Sequence, residues 1–239
     1  MNNRFVFIMP AYNASETIVR SILSVWFQTY SNWKIIIRDD LSTDDTFETV
    51  KNIKNQFGLD DAKVSIKRNK EKKWEVANIL DMLQECESDD IICRLDADDW
   101  ICDCDTLTII NDRYLSMEID ALWTAHRWSF THHNISQNLP KDADPYTHPW
   151  VSSHLKTFRK SLIEDINDEN FRNEAGEYFK RIGDQAIYLP ALYQASGRWH
   201  FEPMVTYHYT ISMNPETFQT DDAKFQKSEG EYLRTRGFI

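Results

Sequence analysis

Residues 94 to 100 read RLDADDW, three carboxylates within four positions directly after an apolar run that has the character of a buried strand. Like charges held that close repel, and burying them unpaired is costly. Either the turn is fully solvated or a positive charge is held among the side chains. Asp96 and Asp98 stand at alternate positions with Asp99 following, and oxygen ligands so spaced suit a hard divalent cation with its water shell. Such an ion converts repulsion into attraction. A D-x-D triplet is weak evidence alone, and Asp103/Asp105 and Asp142/Asp144 are further examples. Asp96 and Asp98 differ in standing at the end of a buried strand, where other carboxylates converge.

The elements that must carry this turn follow from hydrophobic periodicity. RFVFIM (4–9), WKIIIR (33–38), the weaker KVSIKR (63–68) and IICRL (91–95) are short apolar runs expected as strands. Between them, Ile18, Ile22 and Trp26, then Phe47, Val50, Ile53 and Phe57, then Val76, Ile79, Leu80 and Leu83 keep helical spacing. Asn13 and Glu16 resemble a capping box for the first helix. Strands alternating with helices through short links predict a doubly wound α/β layer with parallel pairing, whose ligands sit beyond the carboxyl ends of the strands. Three loops meet there: PAYN, DDLSTDDT and DADDW.

The second half is less regular. Leu107, Ile110 and Tyr114 suggest a helix, and 120–130 one or two strands. The polar run 131–149 is long enough to be functional or disordered. Residues 183–195 read as a helix kinked or interrupted by Pro190, 201–211 as a strand, and the charged tail from about Asn214 as a helix packed outside.

Composition excludes several classes. The formal charge of −11 over 239 residues argues against a general grip on phosphate backbone, and so against nucleic acid as a partner. Cys86, Cys93, Cys102 and Cys104 lack zinc-site spacing and fit reduced thiols. No run resembles a signal peptide or approaches the roughly 20 apolar residues of a transmembrane helix. These features fit a cytoplasmic protein, at most peripheral to a membrane.

The text FIMPAYNASETIVRSILSVWFQTYSNWKIIIRDDLSTDDTFE, followed by ICRLDADDWI, resembles the family 2 glycosyltransferases of the GT-A fold. The P-x-Y-N turn, the D-D-x-S-T-D segment and the D-x-D motif come in order at family spacing, strongly over about residues 4–103 and weakly beyond. The resemblance implies a Rossmann-like, mostly parallel central sheet flanked by helices. It also implies one GT-A domain over 1–213, with a nucleotide-binding half (1–103) and an acceptor half (104–213), followed by a helical tail (214–239). The implied activity is inverting transfer from a nucleotide-diphosphate sugar, a UDP-sugar favoured, to a hydroxyl acceptor, with Mn2+ or Mg2+.

By position, the resemblance makes Asp98 the direct metal ligand and gives Asp96 the ribose or the water shell of the metal. Asp39 or Asp40, with Asp40 preferred, would accept the base N–H; Pro10, Ala11 and Tyr12 would wall the nucleotide, and Ala97 lies between the acids of the same turn. Asp184, in GDQAIYLP at a helix start, becomes the base that deprotonates the acceptor, a position an N-cap also explains. Asp165 and Asp168 are weaker alternatives. Asp44 and Asp45 are equally accounted for as helix caps and Asp99 as a solvated residue. Where the family carries a glycine and then an arginine, this chain reads RNKEKKWEVAN, leaving Lys70, Lys72 or above all Lys73 to approach the diphosphate. WVSSHLKTFRK resembles the family segment lining the donor sugar and acceptor, which nominates His154, Lys156 and Arg159, and His208 is a candidate third metal ligand.

A glycan or lipid-linked sugar is the default acceptor, with a protein or modified DNA base as alternative. Nucleotidyl transfer is disfavoured because PAYNASET has neither glycine nor a basic residue for a phosphate loop. A non-catalytic sugar-binding module would explain the abundant Trp and Tyr but not the ordered acidic loops.

Overall fold

The structure, a computed structural model, describes residues 2–211 and 220–239, so the first six residues of the expected tail, 214–219, lie outside the described residues. The first half alternates as the periodicity predicts: β1 (Phe5–Ala11), α1 (Ile18–Trp26), β2 (Trp33–Asp39), α2 (Thr46–Phe57), β3 (Val64–Arg68), α3 (Trp74–Leu83) and β4 (Ile91–Arg94). β1 pairs in parallel with both β2 and β4, and β3 extends the sheet beyond β2. Successive β1 side chains enter opposite cores: Phe5, Phe7 and Met9 join Ile18, Ile22 and Val50 on one face, whereas Val6 and Ile8 join Val76 and Ile79 on the other. Both faces being covered, the strand is an uninterrupted apolar run.

The chain continues through β5 (Trp100–Ile101), α4 (Thr106–Ser116), β6 (Ala121–Trp128), β7 (Lys156–Arg159), α5 (Gly183–Ala195), β8 (Trp199–Tyr209) and α6 (Asp221–Arg236). One sheet results, in the order β3-β2-β1-β4-β7-β6-β8-β5. Beyond β4 the pairing is mixed: β7 is antiparallel to β4 and β6, β8 parallel to β6, and β5 antiparallel to β8.

Several local expectations are corrected. The Asn13/Glu16 capping box does not form. Asn13 instead takes φ +50°, and its Oδ1 accepts from the Thr43 N–H at 2.8 Å, tying the PAYN turn to the loop after β2. α5 runs unbroken through Pro190, because Ala186, Ile187, Leu189 and Leu192 are all buried and tertiary packing outweighs the missing hydrogen bond. β8 accommodates Pro203 by slipping register between Glu202 and Val205, so that Pro203 and Met204 bulge from the ladder. Residues 131–149 carry no helix or strand, yet Leu139 and Tyr146 are buried, and the indoles of Trp123 and Trp199 donate to the carbonyls of Gln137 and Leu139.

α6 packs on the outside of the core through one face. Leu233 is fully buried in it, and the Glu229 carboxylate accepts the N–H groups of Lys180 and Arg181. No helix among the described residues is long and apolar enough to cross a membrane. Leu233→Ala is expected to cost about 2–5 kcal/mol, the range for a large-to-small change at a buried site; a smaller change in the urea-unfolding free energy would mean that α6 docks only loosely.

Candidate active site

Beyond the carboxyl ends of β1, β2 and β4 lie three adjoining cavities of about 610, 600 and 900 Å3. Pro10, Ala11, Tyr12 and Asp40 wall the first; Pro10, Tyr12 and Ala97 line the second; His126, Trp128, Trp150 and Tyr209 line the third. Asp96 lines all three. Asp98 reaches the second and third, so the two acids of the D-x-D turn face shared space.

The four positions of DADD are held in four different ways. The Asp96 carboxylate lies 2.6 Å from Nη1 of the buried Arg94. Ala97 gives its carbonyl to the hydroxyls of Thr17 and Ser21 at 2.9 and 3.0 Å. Asp98 is exposed and has no ion-pair partner among the described residues; loss of water around its carboxyl and repulsion by Asp96 push it up to about 6. Asp99 is not solvated as expected: it is buried and accepts from the Tyr207 hydroxyl and the Thr210 N–H, both at 2.7 Å.

Arg94 bridges further, through Nη2 to Glu75 of α3, whose other oxygen accepts the N–H of Gly183 at 3.0 Å. Burial opposes its charge, but Asp96 and Glu75 outweigh that and raise Arg94 above the ordinary range. Glu75 moves upward because it is buried.

Ligand atoms of Asp96, Asp99 and His154 lie within 4.8 Å of one another. Asp99 is already committed to Tyr207 and Thr210, and Nδ1 of His154 lies 3.1 Å from Lys156 Nζ, so Asp96 and Asp98 are the pair open to the cavities. The expectation for His208 is corrected. Alternation along β8 sends Tyr207 and Tyr209 inward and His208 to the opposite face, where it stacks on Trp100 at 3.7 Å and its ring nitrogens meet Arg127 and Ser129.

At the end of β2, Asp39 is wholly buried, accepting from the Ser42 N–H at 3.0 Å and pairing with Arg68 at 3.3 Å. Asp40 is the one of the two that reaches the first cavity. Its carboxylate accepts from the N–H of Lys73 at 2.8 Å, of Trp74 at 3.0 Å and from the Asn69 amide at 2.7 Å. Burial opposes the charge, but these donors lower its pKa below the ordinary range. Lys73 is corrected: its ammonium turns to Asp81 at 2.6 Å, and Lys72 lines the cavity instead, 2.9 Å from the Tyr12 ring centroid. Arg181, which the sequence reading passed over, joins it there, 4.8 Å from the ring of Trp74. Asp44 stands one residue before Asp45, the N-cap of α2; it lines the second cavity and accepts from the N–H groups of Ser15 and Thr46, each at 3.0 Å.

Asp184 lies in the first turn of α5, where Ile182 is the N-cap, so its carboxyl does not cap. It points into the third cavity, 2.7 Å from Lys156 Nζ and 3.7 Å from His154 Nε2. Burial works against its charge, yet Lys156, His154 and Arg94 outweigh it and hold the carboxyl well below the usual range. His154 is stacked on Tyr207 and Tyr209 at 4.7 and 5.0 Å, and burial with the Lys156 charge drives it well below the ordinary histidine range. Arg159 is corrected as well. β7 runs antiparallel to β4, so Lys156 stands opposite Arg94 at the site, while Arg159, about 10 Å further along, stands opposite Ile91 and pairs with Asp120.

Gly183 carries no side chain because a Cβ there would overlap the Glu75 carboxyl. Gly183→Ala should therefore displace Glu75 and cost about 1–3 kcal/mol. Placed on a Glu75→Ala background the same change should cost much less, and equal costs in the two backgrounds, measured by urea unfolding, would refute the contact.

The family model for glycosyl transferase family 2 matches residues 6–110. Over 95 residues the chain is 37% identical to the Escherichia coli enzyme WfgD, named UDP-Glc:alpha-D-GlcNAc-diphosphoundecaprenol beta-1,3-glucosyltransferase, a match covering 39% of this chain and 35% of that one. The chain thus spans about a third of the length of the curated relatives it matches. Among solved structures, TarS 1-349 of S. aureus in complex with UDP-GlcNAc superposes with a TM-score of 0.69 at 16% identity, over 91% of this chain and 61% of that one. The mannosyltransferase PcManGT from Pyrobaculum calidifontis, in complex with GDP-Man and Mn2+, also gives 0.69, at 15% identity, over 100% of this chain and 66% of its own. Residues 6–110 thus match glycosyltransferase family 2 in sequence, and the described chain has the GT-A fold.

Proposed function

We propose that the chain transfers a sugar from a nucleotide-diphosphate sugar, a UDP-sugar in first place, to a hydroxyl of a glycan or lipid-linked sugar, with inversion at the anomeric carbon. The observation that carries this reading is Asp96, placed where three cavities meet, with Asp98 beside it and Asp184 in the wall of the largest. The names of WfgD, with its UDP-Glc donor and lipid-linked acceptor, and of the UDP-GlcNAc complex of TarS support the choice of donor and acceptor.

In this reading the nucleotide lies in the first cavity against Pro10, Ala11 and Tyr12, with Asp40 accepting a base N–H through a lone pair left over from its backbone donors. Lys72 and Arg181 supply the positive charge near the diphosphate that Lys73 was expected to give. Residues 1–103 form the nucleotide-binding half and 104–213 the acceptor half, a division that α6 crosses by lining both the first and third cavities.

Asp98 and Asp96 fit a divalent cation: two carboxylates repel one another, Asp98 has no ion-pair partner within 4 Å among the described residues, and an oxygen donor set suits Mg2+ or Mn2+. When bound, the ion would offset charge gathering on the departing diphosphate. PcManGT was solved with Mn2+. Asp184 would take the proton of a hydroxyl entering the third cavity as that oxygen attacks the anomeric carbon opposite the leaving diphosphate, which inverts the centre. A lipid-linked acceptor would place the chain at the cytoplasmic face of a membrane, held there from outside the bilayer.

Two variants and one titration test the reading. Asp98→Ala is expected to abolish metal-dependent donor turnover while leaving the melting curve unchanged. Asp184→Asn should bind donor as the wild type does but transfer about 10²- to 10⁴-fold more slowly, the usual contribution of a positioned base; wild-type rates would remove Asp184 from the mechanism. Calorimetric titration of UDP-glucose and UDP-N-acetylglucosamine should show binding that depends on Mn2+, and its absence with both would favour a non-catalytic module.

A further inference from the structure

Lys156 is only 1% exposed. Taking an ammonium out of water is costly, and an alkyl side chain would fill the same space without that cost, so packing does not explain the charge. Its ammonium meets two side chains among the described residues: Nζ lies 2.7 Å from Asp184 Oδ1 and 3.1 Å from His154 Nδ1. Both contacts fix the same carboxylate. Oδ1 of Asp184 is enclosed against the ammonium, while the side chain as a whole is 34% exposed, which leaves Oδ2 as the oxygen presented to the third cavity. An ammonium only donates, so Nδ1 of His154 accepts and the ring proton sits on Nε2, facing Oδ2 at 3.7 Å. Neither Lys156 nor His154 then competes for a proton brought to the carboxylate.

We infer that Lys156 is a positioning residue for Asp184, clamping Oδ1 so that Oδ2 alone meets the incoming hydroxyl. The inference rests on the reading of Asp184 as the base. The hydroxyl proton passes to Oδ2, the oxygen's electron pair forms the bond to the anomeric carbon, and the bond to the diphosphate oxygen breaks with its pair leaving on the diphosphate. The proton on Oδ2 then returns to water through the cavity.

The other charged and titratable groups near this carboxylate come from every surrounding element: Arg94 and Asp96 at the end of β4, Glu75 of α3, His126 of β6 and Tyr209 of β8. Arg181 and, from α6, Lys227 share the cavity. Among the described residues, only Lys156 and His154 come within ion-pair distance of Asp184.

The test uses the full chain with Mn2+, UDP-glucose or UDP-N-acetylglucosamine as donor, and water as acceptor, reading UDP release. Lys156→Met is expected to lower kcat about tenfold or more by loosening the carboxylate, with the donor KM unchanged. It should also move the acid limb of the kcat–pH profile upward by about one unit or more, because removing a nearby cation makes Asp184 easier to protonate. Lys156→Arg should restore the limb and most of the rate. A Lys156→Met enzyme with the wild-type rate and limb overturns the proposal, as does a Lys156→Arg enzyme no better than Met. If Lys156→Met does not fold, 13C carboxyl titration of wild-type Asp184, assigned with Asp184→Asn, decides: ionisation persisting well below pH 4 supports the clamp, and titration at the ordinary value of about 4 overturns it. Retained UDP release by Asp184→Asn would instead bring down the assignment of the base, a result separable from all of these.

Discussion

The site depends on the charge of Arg94. Its guanidinium emerges from the carboxyl end of β4 with 5% of its side chain exposed, and it is compensated by Asp96 on one side and Glu75 on the other. Glu75 in turn receives the first N–H of α5, so one buried cation joins the acidic turn, α3 and the helix that carries Asp184. Buried pairs of this kind add little net stability when intact but leave an uncompensated charge when one partner is lost, at about 3–5 kcal/mol. The arrangement is therefore rigid by penalty rather than by gain, as a site that must hold several carboxylates at fixed separations requires.

Around that centre, charge is sorted by depth. The buried Asp99 and the half-buried Glu75, Asp96 and Asp184 each have a donor or a cation of their own, whereas Asp98, at the surface of the turn, has no ion-pair partner among the described residues. Among the positive charges, Arg94 and Lys156 are enclosed, while the half-buried Lys72 and Arg181 line the first cavity.

The parallel half was legible because each of its strands is covered on both faces and each helix keeps a strong apolar period, so local pattern and final burial agree. The acids at the strand ends were legible for the same reason, since a strand that ends in the core must deliver its next residues to the rim. Side-chain direction in irregular turns was not. Lys72 and Lys73 are adjacent, and which of them enters the cavity is set by the turn before α3, where Trp74 takes φ +66°. Arg159 and His208 were misplaced because their position follows from antiparallel pairings made over long sequence distances, which no window of sequence contains. Glu75 was passed over, and Lys156 was nominated for the donor and acceptor side rather than as the partner of Asp184, because each matters through a partner about twenty or more residues away, Arg94 for one and Asp184 for the other.

Asp99 links the turn after β4 to Tyr207 and Thr210, 108 and 111 residues later. On a translating ribosome, the four parallel strands can assemble well before either donor has been synthesised. The acidic turn then hangs from a finished half-sheet with its buried carboxylate unsatisfied until the last strand emerges and zips alongside β6. Competence is thus acquired late in biogenesis, and a nascent chain arrested ahead of residue 207 would present a folded scaffold bearing an unset turn.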